Sequence, residues 1–138
     1  MKKPRPSDLE TQVLSVLWEH GPSTVRQVFS RLPDGKERAY TTILTVLQGM
    51  ERKRLVSRTR DGAAHIYRAE VDRDEVGEPV VKTLLRNVFA GDPARVVQAL
   101  VNSAEVNADD LKQIRRVINQ AARDMQKAQD MQEGGEEQ

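Results

Sequence analysis

The run Ala39-Tyr40-Thr41-Thr42-Ile43-Leu44-Thr45-Val46-Leu47-Gln48-Gly49-Met50-Glu51-Arg52-Lys53 carries two different surfaces on one predicted helix. Projected at about 100° per residue, Ile43, Val46, Leu47 and Met50 fall within one apolar arc. Thr41, Thr45, Gln48 and Arg52 lie near the centre of the opposite arc, flanked by Thr42 and Gly49, with Leu44 at the boundary. A face built only for solubility would use Glu and Lys. Hydroxyls and an amide are groups that hydrogen-bond to base edges, and the threonine methyl can contact a thymine methyl.

The chain on either side decides how that helix is used. Upstream, Ser7-Asp8-Leu9-Glu10 is an S-x-x-E capping box opening a helix with Leu9, Val13, Val16 and Leu17 on one face, which Gly21-Pro22 must end. A second box, Thr24 to Gln27, starts a short helix bearing Val25, Val28, Phe29 and Leu32, and Pro33-Asp34-Gly35 stops it. Downstream, Val56 to Arg60 and Ala64 to Arg68 alternate as strands around Asp61-Gly62, a strong signal for a type I′ hairpin turn. Three helices followed by a basic hairpin is the order of a winged helix-turn-helix, the hairpin being the wing.

From Val71 onward the pattern is helical with broad apolar stripes. Gly77-Glu78-Pro79 marks a kink or a fresh helix start. Val80, Val81, Leu84, Leu85, Val88 and Phe89 form one stripe. Asp92-Pro93 caps a helix carrying Val96, Val97, Leu100 and Val101, and Asn107 to Asp110 cap a last one with Leu111, Ile114, Val117, Ile118, Ala121 and Met125. Such stripes cannot all be buried within a lobe of about 55 residues that is mostly surface. Packing on the first lobe or on a second copy is required, and a twofold dimer suits a reader of palindromic sites. The candidate dimer contacts are Val81, Leu84, Leu85 and Val88, then Val97 and Leu100, then Leu111, Ile114 and Ile118.

Composition narrows the function. The 138 residues hold 22 basic and 21 acidic side chains, but residues 1–70 are net +5 and residues 71–138 net −4. A basic half joined to an acidic half points to a polyanion-binding lobe beside a lobe with another task. The absence of cysteine excludes disulfides, thiol catalysis and cysteine-based metal sites. No apolar run approaches the ~18 residues of a membrane span, and the basic start leads into Ser7-Asp8-Leu9-Glu10 rather than an apolar signal core, so a soluble, cytoplasmic protein is expected. His20 and His65 are too far apart in sequence to suggest a metal site, and no nucleophile elbow, phosphate loop or metalloprotease motif is present. No enzyme activity and no cofactor are expected.

The runs Leu9-Glu10-x-x-Val13-Leu14-x-x-Leu17-Trp18, Thr24 to Val28 and Ala39-Tyr40-Thr41-Thr42-Ile43-Leu44-Thr45-Val46-Leu47, with the Lys53-Arg54-Leu55-Val56 exit and Tyr67, resemble the penicillinase repressor (BlaI/MecI) family. The likeness is close over residues 7–70 and weaker to about residue 120. The resemblance implies a homodimeric repressor reading a palindromic operator, with C-terminal helices forming the dimer. It also implies control of β-lactam or related stress-response genes and a membrane sensor metallopeptidase as partner. Thr42 and Thr45 match the family's recognition-helix threonines. Thr41, Leu44 and Gly49 stand where well-known members carry basic residues. The Asn-Phe bond cleaved in such members aligns near Ala99-Leu100, where neither residue matches, so cleavage at that bond is not expected. The missing cysteines exclude the copper-responsive branch.

The expected fold is thus mainly α with a small β-hairpin: a winged helix-turn-helix domain over 1–70, a three-helix dimerisation domain over 71–126, and a disordered acidic tail over 127–138. Thr41, Thr42, Thr45 and Gln48 are expected to read bases in double-stranded operator DNA, and Tyr40, Arg52, Arg58 and Arg60 to hold phosphates. Tyr40 packing on the preceding loop is the bland alternative for that residue. Two rivals are a winged-helix protein-interaction module without sequence-specific DNA binding and a regulator with a small-molecule pocket.

Overall fold

A computed structural model describes residues 5–33 and 38–136, so Asp34 and Gly35 of the expected stop after the second helix lie outside the described residues. The first helix, α1 (Asp8–His20), opens on a complete capping box: the Glu10 N–H donates to Ser7 Oγ, and the Ser7 N–H to Glu10 Oε1. The same reciprocal arrangement of Thr24 and Gln27 opens α2 (Val25–Arg31). The third helix, α3 (Tyr40–Arg52), buries Ile43, Leu47 and Met50 completely. They meet Val13, Leu14 and Leu17 of α1 and Val28 of α2 in one core, which Leu55, Val56 and Tyr67 close from the sheet side.

That sheet has three strands rather than the two of the expected hairpin. A two-residue strand, β1 (Ser23–Thr24), pairs antiparallel with β3 (Ala64–Ala69), Ser23 opposite Tyr67. The strand β2 (Val56–Asp61) pairs with the other edge of β3. The wing's turn also sits one residue later than the type I′ reading places it. Asp61 pairs with Ala64 inside the ladder, leaving Gly62-Ala63 as the loop. Only Gly62 of the two has positive φ, +62°, which is the requirement of a type II′ turn at its first central position.

The chain divides into two compact units between Leu84 and Leu85, not at residue 70. The reason is visible at the start of α4 (Arg73–Asn87). Val71 is buried, the Trp18 indole N–H donates to its carbonyl at 2.8 Å, and Arg73 both stacks over the Trp18 ring and pairs with Glu19. Val76 packs on the same core. The first turns of α4 therefore belong to the winged lobe, and Pro79 lies inside a helix that started six residues before it.

The second unit holds α5 (Pro93–Asn102), N-capped by Asp92, and α6 (Ala108–Glu136), where Asn107 and Asp110 exchange side-chain bonds with each other's N–H. The tail expected to be disordered from residue 127 is instead helical through Glu136. Ala, Gln, Lys, Met and Glu dominate the segment after Gln126, all good helix formers, and the first glycines come only at 134 and 135. No helix among the described residues is long and apolar enough to cross a membrane.

Candidate nucleic-acid interface

Burying Ile43, Leu47 and Met50 fixes the rotation of α3, and with it what the other side presents. Thr41, Thr42, Thr45, Gln48 and Arg52 are all exposed. Thr45 is not fully free: its hydroxyl donates to the Thr41 carbonyl at 2.9 Å, leaving an acceptor lone pair and the methyl group to face outward. Gly49 leaves room on this face, with the Arg52 guanidinium 3.6 Å from where a Cβ would stand.

Tyr40 is intermediate between the two roles considered for it. Its ring meets Phe29 of α2 edge to face at 5.9 Å between centroids, yet the residue remains 39% exposed. Arg26, in the first turn of α2, lies over the same ring at 5.5 Å. Sequence reasoning passed over Arg26, because nothing in the local pattern of α2 says that an exposed arginine will stack on an aromatic of another helix. Tyr40, Leu44 and Gln48, spaced four apart, line one wall of a groove; Thr24 to Arg26 line its end, and Arg58, Ala64 and His65 of the wing its other wall.

The wing arginines differ in how free they are. In the register of the hairpin Arg58 stands opposite Tyr67 and Arg60 opposite His65, so both arginines share the face turned toward α3. Arg68 stands opposite Ser57, on the other face. Arg58 Nε is 3.1 Å from Glu51 Oε2 of α3, an exposed ion pair that offsets part of its positive charge. Arg60 donates through Nε to the Gly62 carbonyl and, among the described residues, forms no ion pair.

At the end of α3 the basic triplet is split by function. Lys53 turns back to Glu10, its Nζ 2.9 and 3.2 Å from the two carboxylate oxygens. Burial pushes the Glu10 carboxyl up, but the Ser7 N–H and the Lys53 bond and charge outweigh that, and it stays below the usual carboxylate range. Arg54 adopts the left-handed conformation, φ +63°, that closes the helix: its N–H bonds Glu51 O, and the Leu55 N–H bonds Met50 O.

The nine positions named as dimer contacts lie in the C-terminal helices, and none of them is buried. Val81, Leu84, Val88, Val97, Leu100, Leu111 and Ile118 are exposed, and Leu85 and Ile114 are half-buried. No residue of α4 or α5 is buried. Among the described residues no group of three or more His, Cys, Asp or Glu side chains comes together as a metal would need.

Comparison with known proteins places these features among relatives. The family model described as penicillinase repressor matches residues 6–120. The transcriptional regulator BlaI of Mycobacterium tuberculosis (strain H37Rv) is 39% identical over 119 residues, covering 85% of this chain and 85% of that protein. The penicillinase repressor of Staphylococcus aureus is 20% identical over 110 residues, covering 80% of this chain and 87% of its own length. Among solved structures, the monomeric form of Bacillus licheniformis BlaI in complex with the blaP half-operator has a TM-score of 0.46 at 26% identity, covering 54% of this chain and 90% of that one. A MarR family protein from Bacillus stearothermophilus has a TM-score of 0.47 at 20% identity, over 89% and 77% of the two chains.

Proposed function

The chain belongs to the penicillinase repressor family, and from that premise we propose that it represses transcription as a homodimer seated on a palindromic operator. It is a DNA-binding transcriptional repressor and not an enzyme. The observation that carries the DNA-contact assignment is the exposed α3 face, Thr41, Thr42, Thr45, Gln48 and Arg52, beside a basic wing in a lobe of net positive charge. In this reading the threonines and Gln48 read base edges in the major groove, and Arg52, Arg60 and Tyr40 set the register on phosphates. Arg58 acts there only as far as Glu51 releases it.

The homodimer is supported by the uncovered apolar residues of α4, α5 and α6, which exceed what a soluble surface ordinarily leaves exposed. Two winged lobes on a twofold axis would address half-sites about one helical turn, roughly 10 bp, apart. A sensor metallopeptidase and control of β-lactam-response genes are proposed on the same family ground. The cleavage would not occur at Ala99-Leu100, which is neither of the expected residue types and lies in helical backbone within α5. Footprinting on the DNA upstream of its own gene tests the operator reading: a protected palindrome is the expected outcome, and no salt-sensitive protection at micromolar protein would overturn it.

A further inference from the structure

The helix α6 is 29 residues long, roughly 43 Å at ~1.5 Å per residue, and it runs on past residue 120, where the family match stops. Its apolar residues do not stop there. Leu111, Ile114, Ile118, Ala121, Met125 and Ala128 recur at alternating spacings of three and four, the a and d positions of a heptad repeat. Val117, Ala122 and Met131 widen the stripe at its flanks. Between Lys112 and Glu133 every charged residue except Arg115 and Asp124 falls at b, c or f, turned away from the seam. Yet the stripe has little cover: Met125 in the seam is 72% exposed, and Val117 and Met131 at its flanks are 69% and 79% exposed.

We propose that α6 is one strand of a parallel two-stranded coiled coil formed with a second copy of this chain, extending along Leu111 to Met131. This rests on the homodimer reading and adds to it where the two chains meet and in which direction. Charge selects the occupant and the orientation. In a parallel pair, a g residue of one helix meets the e residue of the next heptad in the other. Asp110 at g then faces Arg115 of the partner copy at e, twice by symmetry, and Asp124 faces the uncharged Gln129. No like charges meet across the seam. An antiparallel pair brings e against e and g against g, and loses the Asp110–Arg115 complementarity.

The chain has no cysteine, so one introduced thiol reports the pairing cleanly. In the full-length protein, Ala128→Cys at d should form a covalent dimer on mild oxidation, because parallel d positions approach within disulfide range. Asp130→Cys, on the outward face, should link at least about tenfold more slowly, since its thiols lie beyond that range. Met125→Glu combined with Ala128→Glu should raise the dimer dissociation constant by about tenfold or more in sedimentation equilibrium. If the native chain sediments as a monomer, the homodimer reading falls and the coil with it. If it is a dimer but Ala128→Cys links no faster than Asp130→Cys, the coil is wrong and the homodimer reading stands.

Discussion

Lys53 Nζ sits 2.9 Å from Glu10 Oε2 although 43 residues separate them, so the C-terminal end of α3 is tied to the first turn of α1. The carboxylate is buried and the ammonium is 45% exposed, and the Ser7 N–H completes the set. Removing Lys53 leaves a carboxylate with part of its desolvation uncompensated.

Lys53→Met should therefore cost about 1–2 kcal/mol of folding stability at neutral pH, within the range for breaking a charged hydrogen bond. The sign of the pH dependence follows from Glu10, whose folded value lies below its ordinary 4.5. Its contribution is present above that ordinary value and is lost as the pH falls through the lower folded value. Urea titrations across the acid range should show the native protein losing stability there, and Glu10→Gln should flatten that limb.

Thr45 has spent its hydroxyl proton on the Thr41 carbonyl. Its outward contribution is then dominated by the methyl group. Thr45→Ala should weaken operator binding by about 1–3 kcal/mol while leaving random duplex unchanged. Thr45→Val should bind nearly as the native protein does, and Thr45→Ser nearly as the alanine variant. Equal losses on operator and random DNA for Thr45→Ala would remove it from base readout.

Arg60 and Arg58, two residues apart on one strand, should behave differently. Arg60→Ala should weaken all sequences alike and lower the salt slope by about one. Arg58→Ala should do less, because Glu51 already engages that guanidinium. Glu51→Gln should strengthen binding to any duplex and steepen the slope; fluorescence anisotropy over a salt series measures all three.

Arg54 holds a left-handed conformation where glycine is the usual residue. Arg54→Gly should raise stability by up to about 1 kcal/mol, read as a rise in Tm. No gain would mean that the arginine side chain offsets its backbone strain.

Leu100→Asp tests the C-terminal interface independently of α6. The residue is 46% exposed, so a lone chain should tolerate the change. In the proposed homodimer it should raise the dimer dissociation constant about tenfold or more and weaken operator binding with it, since an unpaired carboxylate would be buried.

The amino-acid sequence alone determined the helices of the winged lobe and the face that α3 leaves to solvent. Capping boxes at Ser7 and Thr24 and the spacing of Ile43, Leu47 and Met50 are local relations, within a few residues of each other, and the chain obeys them wherever it packs. The tertiary structure alone decided which cations stay available. Lys53 and Arg54 look alike beside each other in the sequence, yet one is spent on Glu10 and the other closes a helix; Arg58 and Arg60 look alike, yet one is held by Glu51. The strand at Ser23, the turn at Gly62-Ala63 and the attachment of early α4 through Trp18 and Val71 were hidden for the same reason. Each is a pairing between residues made neighbours by the fold, where partner geometry, not residue type, sets the energy.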